Sequence, residues 1–435
     1  MSETAYTKLK YMLVEVKHSF YQSFGGVNFM EADFRRLGLN KLITQHLGLR
    51  NLTAVYSYAD VLKTLFYMFS IGGDVLDDLN ILREQLQDQP ALKACSPDTV
   101  EYVCQELRQP TREVITDKGV KHLINEHDDF NRLLPALSLM GDTLNTSQTS
   151  TLDYDGHMVE NTKADNACNY KQTEGYYPVV LSINKLPVYI QNRNGNTPEN
   201  YDQLNLIRKT VTRCEELGLQ LKKFRADACC YEKETIEFLE QNSFTYYIRA
   251  EMSGGLRIAL EDEPEWQPVI LNNKKVEVCS IEEKLFGSQT YRRIVAYRYK
   301  VKGQLTIDDT NGYRYYGVVT NDTADALSCI EFYNQRGCEG EHHFKELDHD
   351  FGWNKLPFDN MEMNTVYLYA TAIAYLLFNI FKKQYAAKTK MVQVQMRLKN
   401  FILHFVTLTA KWIKTGRRYI LKIFTTKDYS PLFVT

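Results

Sequence analysis

The feature that most limits the fold of this chain is a regular alternation of strand-like and helix-like segments between residues 149 and 250. Runs rich in β-branched and aromatic residues predict strands at 151–155, 176–183, 187–191, 219–224 and 244–250. Apolar residues at helical spacing predict helices at 200–217 and 232–241. Three strands, a helix, a strand, a helix and a strand in this order are typical of an α/β layer with a central mixed sheet.

The alternation ends at the Ser-Gly-Gly sequence of 253–255. Strand-like runs then dominate residues 256–320, which predicts a β-rich insertion. Helical spacing returns at 322–348 and, with mostly apolar residues, at 367–385. Basic and apolar residues that alternate around Lys-Thr-Gly-Arg at 414–417 predict a β-hairpin near the end of the chain.

Before residue 149 the pattern is mainly helical. Helices are predicted at 58–71 and 75–86, which a Gly-Gly pair separates, and a third at 98–107, which Ser-Pro at 96–97 opens. Short helices joined by tight turns predict a bundle. Two functions stay open for this bundle: either it reads a DNA groove, or its helices only pack against one another.

The composition is that of a globular protein with roughly two to four folding units. Of its 435 residues, 44% are hydrophobic and 24% are charged. The nine cysteines show no spacing typical of zinc sites, which favours reduced thiols in a cytoplasm. The first residues lack the apolar region of a secretion signal, and the longest nearly apolar run, 366–381, is shorter than the roughly 20 residues that span a bilayer. We therefore expect a cytoplasmic protein without a membrane partner.

The charge is divided unequally along the chain. Residues 382–435 hold 12 Lys and Arg against one acid, whereas the rest of the chain holds 40 basic and 53 acidic residues. A basic tail on an acidic body predicts a protein that contacts phosphate in one region and binds cations in another. The alternative, a solvated charged tail, stays open.

Two acidic residues stand at the ends of predicted strands. Asp155 lies in Leu-Asp-Tyr-Asp-Gly at 152–156, and Asp227 follows Phe-Arg-Ala at 224–226. Side chains at strand ends converge in an open α/β sheet. With a third acid from a later helix, they would supply oxygen ligands for two Mg²⁺ ions and in-line phosphodiester chemistry. The plainer alternative for either aspartate is a turn or a helix cap.

A third motif gives these acids a context. Tyr333, Arg336, Glu341 and Lys345 follow the order of the Tyr-Arg-Glu-Lys signature, and the chain resembles the bacterial insertion-sequence DDE transposases that carry it. More narrowly, it resembles the insertion-sequence group numbered thirteen-eighty. The likeness covers nearly the whole chain. Its supporting motifs are the acidic segments at 152–156 and 225–228, Asp-Phe-Gly-Trp at 350–353, Leu-Pro-Phe at 356–358 and the segment 73–83.

The resemblance implies an α/β fold with an RNase H-like catalytic core, which a β-rich insertion interrupts before the glutamate helix, and a helical N-terminal domain. The predicted layout is a helical DNA-binding domain at 1–145, the first part of the core at 146–252, the insertion at 253–322, the second part of the core at 323–385 and a basic C-terminal segment at 386–435.

The resemblance also implies an enzyme that cleaves the ends of its mobile element and joins the freed 3′-hydroxyls to target DNA. Asp155, Asp227 and Glu341 would hold Mg²⁺, for which Mn²⁺ could substitute. The implied partners are double-stranded DNA, as terminal inverted repeats and as target, and a second copy of the chain on that DNA, in a bacterial cytoplasm at the nucleoid. A nuclease that cuts without joining and an inactive DNA-binding protein on the same fold are the alternatives.

The third ligand has two candidates. Four residues separate Arg336 from Glu341 where the family commonly has three, and this would rotate Glu341 by about 100° around a regular helix. Either a π-bulge at 337–340 absorbs the extra residue, or Glu339 is the ligand.

The first ligand is open in the same way. Strand alternation puts Asp153 on the same face as Asp155, so Asp153 is the alternate. In the family the acid is followed by a small residue, as Asp155 is by Gly156.

Basic and aromatic residues near these acids are predicted to contact DNA. Arg336 and Lys345 would grip phosphates or form surface ion pairs, and Tyr333 would hydrogen-bond a phosphate or brace its helix. By the resemblance, Trp266 stacks on an unpaired base; the alternative is an ordinary hairpin tryptophan. Phosphate contacts in the tail are predicted for Lys411, Lys414, Arg417 and Arg418.

Overall fold

The computed structural model describes residues 5–9, 12–16, 20–169, 171–301 and 309–432. For 5–9, 12–16, 309–310 and 338–342 it describes the backbone alone. The chain divides into two compact units, Met1–Glu106 with Ile373–Thr435, and Leu107–Ala372.

The strands, in chain order, are β1 Ala5–Leu9, β2 Met12–Val16, β3 Arg112–Ile115, β4 Lys121–Asn125, β5 Thr149–Gly156, β6 Val159–Glu160, β7 Ala167–Cys168, β8 Glu174–Tyr176, β9 Val179–Ile183, β10 Leu186–Arg193, β11 Gln220–Ala226, β12 Thr245–Arg249, β13 Gln267–Leu271, β14 Lys274–Lys284, β15 Tyr291–Lys300, β16 Asp309–Thr310, β17 Tyr313–Thr320, β18 Thr409–Thr415 and β19 Arg418–Phe424.

The helices are α1 Val27–Arg36, α2 Leu39–Leu47, α3 Tyr58–Ser70, α4 Leu79–Gln85, α5 Pro97–Leu107, α6 Asp128–Met140, α7 Gln203–Glu216, α8 Lys233–Gln241, α9 Gly254–Asp262, α10 Ala326–Asp350, α11 Met361–Lys388 and α12 Leu398–Phe401. A π-helical turn, Ile402–Val406, continues α12.

The alternation predicted between residues 149 and 250 is confirmed. Its strands are β5, β9, β10, β11 and β12, and its helices are α7 and α8. The same range also contains β6 and β7, which are not among the predicted strands and form a separate three-stranded sheet with β8. The hairpin around 414–417 is also confirmed, because β18 pairs with β19 up to Thr415 and Arg418. β9 and β10 are buried along their whole length, so their residue types rather than an alternation identify them as strands.

The predicted β-rich insertion begins with a helix. The Ser253 hydroxyl accepts a hydrogen bond from the Leu256 N–H at 3.2 Å and so caps the N-terminus of α9. The Ser-Gly-Gly sequence, interpreted from the sequence as a break, is therefore a helix start. The strands β13 to β17 follow it.

The second unit is built on a large mixed sheet. Its strand order is β13-β14-β15-β17-β12-β11-β5-β9-β10-β4-β3, and β16 pairs with β17. At its centre β12 and β5 both run parallel to β11. The insertion strands join this sheet through the antiparallel pairing of β17 with β12. The β-rich insertion is thus continuous with the central sheet.

The other end of the sheet is formed by residues that precede β5. β4 pairs with β10 at Asn192 and Arg193, and β3 pairs with β4. The contact division accordingly begins the second unit at Leu107, whereas the N-terminal domain predicted from the sequence runs to residue 145. The two boundaries differ because strand pairing, which the sequence does not display, joins β3 and β4 to β10.

The apolar run expected as a buried helix lies in α11. This helix has 28 residues and is long and apolar enough to cross a bilayer, but 94% of its most apolar window is buried inside the protein. Burial of this extent is typical of a core helix in a folded domain.

A buried asparagine completes the hydrogen bonding of β10 where β4 does not reach. The Asn131 side chain of α6 accepts from the Ile190 N–H at 2.8 Å and donates to the Ile190 carbonyl at 3.0 Å. It also donates to the Tyr369 hydroxyl of α11 at 2.9 Å. Because Asn131 is fully buried, water cannot replace these bonds.

We expect Asn131→Ala to lower the free energy of unfolding by about 2–4 kcal/mol, because it removes the side-chain partner of the buried Ile190 N–H and leaves the Tyr369 hydroxyl as the remaining side-chain donor to the Ile190 carbonyl. Urea unfolding followed by circular dichroism measures the change. Asn205→Ala, at an exposed position of α7, is the matched control and should change the stability by less than about 0.5 kcal/mol. Equal effects of the two substitutions would contradict this role of Asn131.

Candidate active site

Two aspartates lie side by side at the ends of parallel strands. In the pairing of β5 with β11, Asp153 is opposite Arg225 and Tyr154 is opposite Ala226. The next acid on β5 is Asp155, and Asp227 follows β11 directly, so both lie at the same edge of the sheet. The Asp227 carboxylate accepts from the Cys229 N–H at 2.9 Å and caps a short helical turn. The sheet therefore brings Asp155 and Asp227 together.

Asp153 has a different environment from Asp155. Arg225 donates to both of its oxygens, at 2.7 and 2.8 Å, in a buried bidentate pair. A third donor of the same guanidinium reaches the carbonyl of Phe332 on α10 at 3.0 Å. Asp153 is thus occupied in holding β5, β11 and α10 together. This geometry supports Asp155 as the ligand candidate on β5.

The Asp155 carboxylate faces a cation and other acids. An oxygen of Asp155 lies 3.1 Å from a terminal nitrogen of Arg336 on α10. Burial, together with the negative charges of Asp227 and Asp153, raises the pKa of Asp155 to about 6, although the Arg336 charge acts in the opposite direction. The raised pKa shows that the ionised carboxylate lacks full compensation.

Arg336 is buried within this cluster. It donates to the Tyr154 carbonyl at 3.0 Å besides its contact with Asp155. Burial lowers the pKa of Arg336, but the neighbouring Asp155 and Asp227 outweigh this and leave it above the ordinary value. The ion pair considered as an alternative for Arg336 is present, but it is made with Asp155 and is buried instead of lying at the surface. The phosphate contact of Arg336 stays a prediction.

Glu199 is a further carboxylate of the site, which the sequence analysis missed. It lies between β10 and α7, and its oxygens accept from the Gly156 N–H and the Tyr177 hydroxyl, both at 2.8 Å. Burial and the charges of Asp227 and Asp155 raise its pKa to about 7. Its position in the turn between a strand and a helix is a signal that could have identified it.

A fully buried arginine fixes the loop that carries Glu199. Arg193 donates to the carbonyl of Pro198 at 3.1 Å, to that of Glu199 at 3.0 Å and to that of Tyr201 at 2.9 Å. The Tyr154 hydroxyl also donates to the Glu199 carbonyl, at 2.7 Å. The backbone of Glu199 is therefore held from both sides, which orients its carboxylate before any ligand arrives.

Gly156 is required by the packing of a neighbouring ring. A Cβ added at Gly156 would lie 2.4 Å from the Tyr177 ring. Since Tyr177 donates to Glu199, a side chain at 156 would also displace that hydrogen bond. The small residue after Asp155 thus has a steric reason in this fold.

The donors at the sheet edge fit a hard divalent cation. Ligand atoms of Glu199, Asp227 and Cys229 all lie within 4.8 Å of one another. Asp155 and Glu199 have raised pKa values partly because Asp227 is close to each of them. A bound cation would relieve this repulsion, and carboxylate oxygens are the ligands that Mg²⁺ prefers. The Cys229 thiol has a pKa that burial raises well above its ordinary value, so it is a neutral neighbour.

The helix α10 carries the two candidates for the third ligand. α10 is α-helical from Ala326 to Asp350, so the π-bulge suggested at 337–340 does not occur in its described backbone. The side chains of Glu341 and Glu339 lie outside the described residues, and the choice between them stays a prediction. Lys345 is exposed on the same helix. Tyr333 is half-buried beside the cluster, and burial raises its pKa.

The predicted phosphate contacts of the tail lie on the hairpin of β18 and β19 in the first unit. Arg417 and Arg418 are exposed at its turn. The ammonium groups of Lys411 and Lys414 lie over the rings of Tyr21 and Tyr419. Asp155, Asp227 and Arg336 belong to the second unit.

Substitution by asparagine should have different effects at Asp153 and Asp155, the two aspartates of β5. We expect Asp153→Asn to lower the free energy of unfolding by about 3 kcal/mol, because it leaves the Arg225 charge buried without its partner. Asp155→Asn and Glu199→Gln should instead weaken Mn²⁺ binding by roughly ten-fold or more, because each removes an ionised oxygen ligand.

Urea unfolding and calorimetric titration with Mn²⁺ measure the two effects separately. Loss of Mn²⁺ binding in Asp153→Asn with unchanged stability would transfer the ligand role from Asp155 to Asp153.

One comparison with known proteins identifies the family of this chain. No curated protein matches the chain. Among solved structures, a piggyBac transposase synaptic complex with hairpin DNA, determined by cryo-EM, is similar at 10% sequence identity and a TM-score of 0.44, over 93% of this chain and 83% of that chain. The family model described as transposase DDE domain group 1 matches residues 10–435. This match covers nearly the whole sequence, and the chain therefore belongs to the DDE transposases of that group.

Proposed function

We propose that this protein cleaves the ends of its mobile element and joins the freed 3′-hydroxyls to target DNA by two-metal phosphoryl transfer. The observation that carries the proposal is the convergence of Asp155 and Asp227 at the ends of adjacent parallel strands, with Arg336 and Glu199 against them. Buried carboxylates with raised pKa values at one edge of a sheet are typical of catalytic cation sites.

The cation is Mg²⁺, for which Mn²⁺ substitutes. Asp155 and Asp227 hold it together with a glutamate of α10, Glu341 in the first place and Glu339 as the alternate. Glu199 adds an oxygen at the side of Asp227. When bound, a pair of such cations activates the attacking oxygen and stabilises the leaving oxygen of an in-line phosphodiester displacement.

The other residues of the site position this ligand set. Arg336 binds one oxygen of Asp155. Arg225 and Asp153 fix α10 to β5 and β11 through the Phe332 carbonyl, so the helix that carries the third acid has a defined distance to the sheet. Tyr333 and Lys345 are proposed to contact phosphates that flank the scissile bond.

The proposed substrates are double-stranded DNA, first as terminal inverted repeats and then as target. Lys411, Lys414, Arg417 and Arg418 would bind its backbone, which adds affinity without sequence choice. Binding of both element ends implies a homodimer on DNA. We also propose that the protein is a bacterial insertion-sequence enzyme of the Tyr-Arg-Glu-Lys type. Its core is then RNase H-like, with the predicted domain layout.

The reaction is tested with pre-cut ends carrying a free 3′-hydroxyl, target DNA and Mg²⁺. We expect joined products from the unaltered chain and a loss of roughly three orders of magnitude or more in Asp227→Asn, since this removes a ligand worth several kcal/mol to the transition state. Asp262→Asn, at an exposed position of α9, should retain activity. Fragments without joined products would indicate a nuclease, and neither product would indicate an inactive DNA-binding protein.

The third ligand is tested by Glu341→Gln and Glu339→Gln in the same assay, each combined with calorimetric titration of Mn²⁺. We expect Glu341→Gln to abolish joining and to weaken Mn²⁺ binding, while Glu339→Gln retains both. The reverse pattern would assign the ligand role to Glu339, and retention of both properties by both variants would exclude a ligand at either position.

A further inference from the structure

The segment of α10 that carries the two candidates for the third ligand lies between two contacts with the end of β5. Arg336 makes the first contact, before the segment, with the Tyr154 carbonyl at 3.0 Å and with Asp155 at 3.1 Å. Asp348 makes the second contact, after the segment, with His157. The end of β5 therefore holds α10 on both sides of the candidate glutamates.

His157 makes the second contact through an edge of its imidazole ring. Its Nε2 lies 2.9 Å from each oxygen of the Asp348 carboxylate. Since an ionised carboxylate only accepts hydrogen bonds, Nε2 carries the proton and donates it. The exposed fractions of the two side chains are 21% and 19%, so the bond is shielded from most of the solvent.

The face of the same imidazole packs on α10 one turn earlier. The rings of His157 and Phe344 are nearly parallel, at 8°, with centroids 4.4 Å apart. The fully buried Trp353 lies against both rings, with each centroid 6.4 Å away. The turn of α10 from Phe344 to Asp348 thus contacts both the face and the edge of His157.

The backbone of His157 is fixed to the sheet. Its N–H donates to the carbonyl of Pro178 at 3.0 Å, directly before β9. His157 also follows β5 by one residue, after Gly156. The imidazole therefore has a defined position relative to Asp155, and Asp348 takes its position from the imidazole.

Helix geometry relates this contact to the candidate ligands. α10 is α-helical throughout Ala326–Asp350. Glu341 precedes Asp348 by seven residues, which is about 20° short of two full turns, so the two positions are in line along the helix. Glu339 precedes Asp348 by nine residues and is about half a turn away from that line. The side of α10 that contacts His157 is therefore the side of position 341.

We propose that His157 and Asp348 are positioning residues for the third acidic ligand, because their contact holds the Glu341 side of α10 at the end of β5. A helix held at one point can still pivot about it. A second contact 12 residues after Arg336, about 18 Å along the axis, removes this freedom. The inference rests on the proposed function, since it takes a glutamate of α10 as a cation ligand.

The positioning role is tested by calorimetric titration of the full chain with Mn²⁺, without DNA. His157→Phe keeps a flat ring against Phe344 and removes the donor to Asp348. It should weaken Mn²⁺ binding about ten-fold, the lower end of the range for residues that orient metal ligands. Because His157 acts through Glu341, adding His157→Phe to Glu341→Gln should cause no further loss of Mn²⁺ affinity.

Two substitutions of Asp348 separate its hydrogen bond from its charge. Asp348→Asn keeps an oxygen that accepts from His157, so its Mn²⁺ affinity should stay within about three-fold of the unaltered chain. Asp348→Leu removes the acceptor and should match His157→Phe. His349→Phe, at the exposed next position of α10, is the control and should leave Mn²⁺ binding unchanged.

Hydrogen–deuterium exchange in EDTA gives a readout without any cation. In His157→Phe and Asp348→Leu, the backbone amides of residues 343–350 should exchange faster, because the contact that closes this part of α10 is lost. The amides of residues 326–336 should keep their rates. If His157→Phe failed to fold, seen as fast exchange along the whole chain, the comparison of Asp348→Asn with Asp348→Leu would carry the test.

The joining assay separates positioning from DNA binding. In His157→Phe the single-turnover rate at saturating DNA should fall roughly ten- to a hundred-fold, the cost of a misplacement of about 1 Å. The DNA concentration that gives half of the maximal rate should stay unchanged.

Unchanged Mn²⁺ affinity in both His157→Phe and Asp348→Leu would overturn the proposal. Losses that add to that of Glu341→Gln would also overturn it, because they would make Asp348 a ligand in its own right. Coupling to Glu339→Gln in place of Glu341→Gln would contradict the assignment of the helix side. Joining of pre-cut ends by the unaltered chain is measured separately, so failure here is distinguishable from failure of the proposed function.

Discussion

The parallel pairing of β5 with β11 is the constraint on which the candidate site depends. It sets Asp153 opposite Arg225 and thereby carries Asp155 and Asp227 to the same edge of the sheet. A shift of one residue would turn the side chains of one strand to its other face. The bidentate bond between Arg225 and Asp153 opposes such a shift, because it joins the two residues that the register places opposite each other.

The electrostatics of the sheet edge follow from this pairing. Burial raises the pKa values of Asp155 and Glu199, and the negative charges of the neighbouring acids, Asp227 among them, raise both values further. Arg336 compensates part of the negative charge through Asp155. Partly buried acids that lack full compensation bind protons or cations, so the arrangement favours cation binding.

The insertion is an extension of the sheet that carries the candidate site. Since β17 pairs with β12, the strands that follow α9 continue the sheet that carries Asp155 and Asp227. α10 packs on the insertion strands through Cys329 and Ile330 and reaches the aspartates through Arg336. One helix therefore borders both the candidate cation site and the insertion strands, and regular elements position such groups more accurately than loops do.

Sequence patterns alone predict the central-sheet strands and the helices between residues 149 and 250, the hairpin of the tail and the position of two acids at strand ends, but not the short strands β6 and β7. These features depend on local periodicity and on residue type at element ends, which a single chain displays directly. Only the tertiary structure shows that Arg225 forms an ion pair with Asp153, that Arg336 is buried against Asp155, and that Glu199 lies in the same site. It also joined β3, β4 and the insertion strands to one sheet. Each of these results depends on contacts between residues far apart in the chain, whose pairing is fixed by packing and register and leaves no local pattern in the sequence.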